Sequence, residues 1–136
     1  MPLIVPDVSE VDILTNILTP ALSIKLFSNN YTPVAASINA SFTEVAGGGY
    51  AQKSLTFANW GISPGTPSIA TYNAVQTWTF TGVTNAPATV YGYYVVRVSD
   101  GLLMWAERFS LGAVPVIPVL GTTITVTPVL TGGSVY

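Results

Sequence analysis

Carboxylate chemistry is the first possibility that the residue types suggest. The chain has six acidic residues and neither histidine nor cysteine, so the usual general bases and thiol nucleophiles are absent. Three of the acids fall in a predicted N-terminal helix, and Asp100 falls in a predicted turn. Glu44 and Glu107 are then the pair left for glycoside hydrolysis, and no pattern sets them at a catalytic separation. We therefore predict that the chain is not an enzyme.

The run Gly47–Gly49 is the second candidate, because glycine-rich loops can cradle phosphate groups. It lacks the Gly-Lys-Ser/Thr ending and the following helix of a phosphate-binding loop. A bend or bulge between sheet segments, with Tyr50 covering the bare backbone, is the favoured interpretation. No Asp/Asn-rich loop offers the clustered oxygen ligands that calcium needs, and we expect no metal or other cofactor.

Aromatic side chains are the third candidate, because they could line a carbohydrate-binding face. In a small β-sandwich most of them pack in the core or across strands. Trp60 and Tyr72 differ, since they flank the stretch 62–73, which is rich in Pro, Gly, Ser and Thr and is predicted to be a long exposed loop. These two are the predicted ligand-facing aromatics.

The stretch 89–110 predicts a hairpin, with Asp100-Gly101 between two β-branched and aromatic runs. A type I′ turn there would pair Ser99 with Leu102, Val96 with Trp105, Tyr94 with Glu107 and Tyr93 with Arg108. Neighbouring residues of a strand face opposite sides, so Glu107 and Arg108 do not form one site. Arg108 would share its face with Arg97, and a subunit interface would supply carboxylates for both.

The N-terminus predicts an extended arm over Pro2 to Pro6, followed by a helix over Val8 to Leu18 that Asp7 or Ser9 caps. The apolar face of this helix either packs over one end of the β core or docks on a neighbouring subunit. The predicted interface residues are those of the arm and helix together with the two arginines of the hairpin: Leu3, Ile4, Val5, Val11, Leu14, Leu18, Arg97 and Arg108.

The residues after the predicted helix have the sequence pattern of β-strands. Strands are predicted at 22–27, 41–45, 54–57 and 75–81, then in the hairpin, and finally at 122–127. The fold class is therefore all-β: a jelly-roll-like β-sandwich of about 7–8 strands with a short N-terminal arm and helix. We divide the chain into residues 1–20, the arm and helix, and residues 21–136, a single sandwich domain.

Composition narrows the choice of partners. Charged residues make up only 7% of the chain, and the four basic ones are scattered, so no phosphate-tracking patch for nucleic acid is expected. No run is long and apolar enough for a membrane helix, and the first residues do not resemble a signal peptide. A protein with so little charge repels its own copies weakly and tends to associate.

Several stretches resemble, as a set, a family of small tailed-bacteriophage virion proteins. They are Leu3 to Leu14, Leu22 to Pro33, Phe42 to Leu55, Val90 to Phe109 and Ile124 to Pro128. The chain also resembles the compact β-sandwich decoration or cement proteins of phage heads, cyanophages among them. The family carries no catalytic motif.

This resemblance implies a structural protein of the virion. Such a protein is made in the host cytoplasm and lies on the capsid surface, where it binds the major capsid protein and its own copies, most often as a trimer. It stabilises the shell by burying surface between capsomers. The alternative that we keep is a tail or baseplate protein that binds a host-surface glycan through the 62–73 loop and its flanking aromatics.

Overall fold

The computed structural model describes residues 4–109 and 116–132. Within these ranges the chain forms one α-helix and nine β-strands, and the predicted all-β sandwich with a short N-terminal helix is confirmed. The elements are α1 (Asp7–Leu18), β1 (Leu22–Phe27), β2 (Lys53–Leu55), β3 (Trp60–Ser63), β4 (Ile69–Tyr72), β5 (Gln76–Thr79), β6 (Gly92–Arg97), β7 (Leu103–Arg108), β8 (Thr123–Val126) and β9 (Val129–Thr131). Pro2 and Leu3 of the predicted arm lie outside the described residues.

One layer is a four-stranded antiparallel sheet in the order β2-β1-β6-β7. The central strand β1 is buried on both faces, although its sequence alternates like a half-exposed strand. Leu22, Ile24 and Leu26 face the main core. Phe27 faces the other way, where the segment 28–46 folds over the sheet and Phe42 packs against its ring at 5.0 Å.

The second layer consists of two smaller antiparallel sheets, one of three strands in the order β3-β4-β9 and one of two strands, β5-β8. β4 and β5 follow each other in the chain; β4 pairs with β9, and β5 pairs with β8. Between the two pairs, Tyr72 N donates to Pro128 O at 2.9 Å. The predicted long loop at 62–73 is wrong. β3 and β4 form a hairpin there, because Ala70 and Tyr72 supply buried inward positions and the turn-forming residues occupy only its tip.

The β6–β7 hairpin forms, but with a register different from the predicted one. Tyr93 pairs with Glu107 and Val95 with Trp105, and a bulge follows Val95. A type I′ turn needs positive φ at both central residues, and of Asp100 and Gly101 only the glycine has it, at 70°. Gly101 N instead donates to Arg97 O at 2.8 Å in a longer turn, which shifts the pairing by one residue.

The predicted strand at 41–45 is also wrong. A 3-10 turn spans Asn39–Ser41, and a single bridge joins Phe27 to Glu44. Backbone hydrogen bonds from Ser28 N to Thr43 O and from Val45 N to Leu26 O flank this bridge. Beyond it the Asn29 side chain takes over, since its amide donates to Ser41 O at 2.9 Å and accepts from Thr43 N at 2.8 Å.

Helix α1 packs against its own chain. Its N-cap is Pro6, without a side-chain cap bond, so the predicted cap by Asp7 or Ser9 is wrong. Leu14 and Leu18 are fully buried in the main core of their own chain. Their predicted assignment to a subunit interface is therefore wrong. The buried Glu10 accepts a hydrogen bond from Ser68 N at 2.8 Å, which fastens the helix to the tip of the β3–β4 hairpin.

Candidate functional site

The predicted interface residue Arg97 has a carboxylate partner within its own turn. Its Nε and Nη2 donate to the two carboxylate oxygens of Asp100 at 2.9 and 2.6 Å, and Leu102 N donates to the same carboxylate at 3.2 Å. The hydrogen bond from Arg97 is the main cause that lowers the pKa of Asp100 to about 2. Arg97 therefore needs no subunit partner to be paired.

This geometry predicts a titration result. The Asp100 carboxyl should titrate by NMR near pH 2, and Arg97→Gln should move its midpoint up towards the ordinary value of 3.8. Since the folded pKa is depressed, any stability that the pair adds is present above the unfolded pKa and is lost as pH falls towards 2. An unchanged midpoint in Arg97→Gln would contradict the assigned cause.

Arg108 is likewise held within the chain. Its Nη1 donates to Asn30 Oδ1 at 2.8 Å and to Tyr31 O at 3.1 Å, and its guanidinium lies 5.0 Å from the ring centre of Tyr91. These contacts tie β7 to the start of the segment that covers the outer face of the sheet. The predicted requirement for a partner carboxylate is not supported by this geometry.

The two acids considered for hydrolysis are held by different partners. Glu107 accepts from Tyr93 Oη at 2.8 Å, and burial together with this hydrogen bond raises the pKa of Tyr93. Glu44 accepts from Tyr50 Oη at 3.1 Å and lies 3.4 Å from Lys25 Nζ. Each carboxylate thus joins neighbouring segments, and neither is seen to share a site with the other.

The predicted ligand-facing aromatics are buried, and that prediction is wrong. Trp60 and Tyr72 are only 8% and 3% exposed, and they pack edge to face as a cross-strand pair at 5.0 Å. Tyr72 Oη accepts hydrogen bonds from Thr56 N and Asn59 Nδ2, both at 3.1 Å. The two rings build the core of the second layer, and a sugar face would need other residues.

The run Gly47–Gly49 is a structural bend, as the sequence favoured. All three glycines have positive φ, between 60° and 78°. Their backbone lies directly on the loop 81–85, with Thr81 N donating to Gly48 O at 2.9 Å and Asn85 N donating to Ala46 O at 2.7 Å. The close approach of these two backbones, and not an anion, accounts for the missing side chains.

Exposed aliphatic side chains are common on this surface. Within the described ranges, large apolar residues at least 40% exposed are Ile4, Val8, Val34, Ile38, Phe57, Ile69, Val75, Val83, Val98, Leu102, Ile117, Val119, Leu120 and Val129. Four of them, Val83, Ile117, Val119 and Leu120, lie in the loops at one end of the β5–β8 pair and are called the loop-end patch below. Hydrogen bonds between Phe80 and both Gly121 and Thr122 bring these loops together.

Of the predicted arm, Ile4 is 81% exposed and Val5 is half-buried, and Val11 on the helix is also half-buried. Their role at an interface stays a prediction. Within 4–109 and 116–132 no group of three or more potential metal-ligating side chains occurs, and no helix is long and apolar enough to cross a membrane.

Three open cavities border the segment 33–40, where it approaches the β6–β7 hairpin. Their volumes are about 430, 330 and 170 Å³, and the smallest is lined mainly by polar residues. Local sequence patterns do not indicate these cavities, because segments distant in sequence form their walls.

Comparison with protein-family models, with curated proteins and with solved structures found no match.

Proposed function

We propose that this chain is a non-enzymatic structural protein of a bacteriophage virion, and specifically a head decoration protein that joins neighbouring major capsid proteins. It acts by burying apolar surface across the joints of the shell, as a homo-oligomer, with a trimer as the leading arrangement. The resemblance described above supplies the class of protein. The distribution of charge and apolar surface supplies the physical support.

A single observation carries the proposal: most charged groups are used inside the chain, while aliphatic side chains face outwards. Lys25, Arg97 and Arg108 are held by partners of the same chain, as are the carboxylates of Glu10 and Glu107. The surface left for partners is rich in valine, leucine, isoleucine and threonine. Strongly exposed aliphatic side chains in such number favour a protein that associates, because contact with a partner would bury them.

The loop-end patch is the surface that we assign to the capsid partner. The segments that carry it, 81–85 and 116–122, contain no charged residue. Leu120 is 77% exposed, and Val83 is 61% exposed on the neighbouring loop. Burying such side chains contributes about 1.5–3 kcal/mol each. The exposed arm residue Ile4 is assigned to a second contact with a neighbouring subunit.

The alternative is a tail or baseplate protein that binds a glycan. The two aromatic residues that suggested it are not exposed. Trp60 and Tyr72 are core residues, and the loop that they were to flank is a β-hairpin. Phe57 is the one aromatic residue among the strongly exposed apolar side chains of the described ranges, and a single ring does not replace the predicted pair. The decoration protein is therefore the better-supported function.

The test is to locate the chain in the virion of the phage that encodes it, by mass spectrometry of purified heads and by cryo-electron microscopy. Val83→Asp and Leu120→Asp should each reduce the copies per head at least tenfold, because a carboxylate would be buried without a partner. Val75→Asp is the matched control, since Val75 is 57% exposed at the opposite end of β5. All three variants should fold with nearly unchanged stability.

A virion whose head lacks the chain would reject the proposed function. Full occupancy of the head by both patch variants would reject the assignment of the loop-end patch to the capsid contact, while the presence of the chain in the head would still support the function.

A further inference from the structure

The 170 Å³ cavity lies on the outer face of the four-stranded sheet, away from the loop-end patch. Ser23 and Lys25 of β1 form its floor, because they alternate with the core residues of that strand. Asn39 of the 3-10 turn, Gln52 before β2 and Arg97 at the end of β6 complete the polar wall. Four segments distant in sequence therefore meet around one small polar space.

The neutral side chains of this wall present hydrogen-bond donors. The Ser23 hydroxyl lies within hydrogen-bond distance of two acceptors, Gln52 Oε1 at 3.2 Å and Lys53 O at 3.3 Å. The Gln52 amide is thus held by its oxygen, and its Nε2 is left to donate. Asn39 Nδ2 lies close to Gly101. The distance from this nitrogen to the position that a Cβ atom would occupy on Gly101 is 3.5 Å. Neither amide nitrogen has a hydrogen-bond partner within the described ranges.

The charged side chains of the wall are both cations. Lys25 and Arg97 are two of the four basic residues of the whole chain. Their carboxylate partners, Glu44 and Asp100, do not line the cavity. The Lys25 ammonium is 3.4 Å from Glu44 and has further protons to donate. The wall thus combines two cations, each paired with a carboxylate outside the cavity, with amide N–H donors, and no acidic side chain lines it.

We propose that this cavity binds a small oxyanion, a carboxylate or a phosphate group, through Lys25 Nζ, Gln52 Nε2 and Asn39 Nδ2. Oxyanions accept charge-assisted hydrogen bonds from such donors, which are stronger than those between neutral groups. The cavity holds one group of this size, and its mouth is open to solvent. The site is independent of the proposed capsid role and would persist if that role were rejected.

The experiment is a titration of the full-length protein with sodium acetate and, in a second arm, with sodium phosphate, at constant ionic strength set by sodium chloride. Binding is followed by NMR at the side-chain amides of Gln52 and Asn39. We expect saturable shifts of both amides, and the two arms tell a planar carboxylate from a tetrahedral phosphate.

Three variants test the assignment. Gln52→Glu puts an acid on the wall and should abolish saturation, while Lys25→Gln should weaken binding at least tenfold. Lys53→Gln is the matched control for charge, because its ammonium lies 5.6 Å from the Trp78 ring and does not line the cavity. Lys25→Gln removes the ion-pair partner of Glu44, and this loss should lower the stability of that variant. Gln52 is exposed, so Gln52→Glu should fold and keeps the test decisive.

Saturation in either arm that depends on Lys25 and Gln52 but not on Lys53 supports the site. The proposal is overturned if neither anion gives saturable shifts, or if Lys53→Gln weakens binding as much as Lys25→Gln does. The second result would mean that the anion responds to net charge and not to this cavity.

Discussion

Gly48→Ala is expected to lower the free energy of unfolding by roughly 2–5 kcal/mol, which makes it one of the two most damaging single substitutions that we predict. Gly48 has a φ of 60°, and an added Cβ would stand 2.7 Å from Gly82 O. The left-handed conformation costs an alanine about 1–2 kcal/mol. The contact with a backbone oxygen adds to that cost, because a backbone yields less readily than a side chain. Urea denaturation of the purified variant measures the sum.

Two glycines of the same chain separate the contributions. Gly121 also has positive φ, at 84°, but nothing lies within 4 Å of its missing Cβ. Gly121→Ala should therefore cost only the conformational part, about 1–2 kcal/mol. Gly82 has neither positive φ nor a close neighbour, and Gly82→Ala should be neutral or slightly stabilising. A Gly48→Ala loss no larger than that of Gly121→Ala would contradict the close backbone contact.

Leu14→Ala is expected to destabilise the protein by about 2–5 kcal/mol, because it opens a cavity under α1 in the main core. Leu14 is fully buried there beside Leu18. Val8 on the same helix is 75% exposed, and Val8→Ala should change the stability by less than about 0.5 kcal/mol. Both values come from denaturant unfolding of the full chain. A Leu14→Ala variant as stable as Val8→Ala would show that the helix is dispensable for folding.

This prediction also decides how the arm can be tested. Removing residues 1–20 would delete α1, its buried leucines and the hydrogen bond between Glu10 and Ser68. The free energy of unfolding of the remaining chain would therefore fall, and a loss of assembly could not be assigned to the arm. Replacing Ile4 alone leaves those contacts in place. Loss of head occupancy in Ile4→Asp, with unchanged stability, would assign the arm to assembly.

The proposed functions follow from which polar groups have hydrogen-bond or ion-pair partners within the chain and which do not. The ion pairs and hydrogen bonds of the outer face are made within the chain, so their loss should first be read as a change in stability. The loop-end patch and the 170 Å³ cavity differ, because their aliphatic side chains and free donors have no such partners in the described residues. These two places are where substitutions should change association without changing the fold.

Local sequence patterns determined the class of the fold. The alternation in 22–27 predicted β1 with its bounds, the periodicity of Val11, Leu14 and Leu18 predicted the helix, and Gly101 marked the hairpin turn. The triple glycine was correctly taken as a bend. These features depend on neighbours within a few residues, where steric and hydrogen-bond preferences act without the rest of the chain.

The tertiary structure decided register, burial and the sites. The β6–β7 turn closes with Gly101 N donating to Arg97 O, and the pairing of the hairpin follows from this longer turn. Burial of Ala70 and Tyr72 accompanies two strands where the local pattern predicted a loop. Trp60 is buried because the four-stranded sheet covers it, with the Trp105 ring of β7 at 6.0 Å, and no local pattern encodes this contact. The 170 Å³ cavity joins Lys25, Asn39 and Gln52 only after the segment 28–46 has folded over the sheet. Contacts between distant segments fix such features, and they form only in the packed chain.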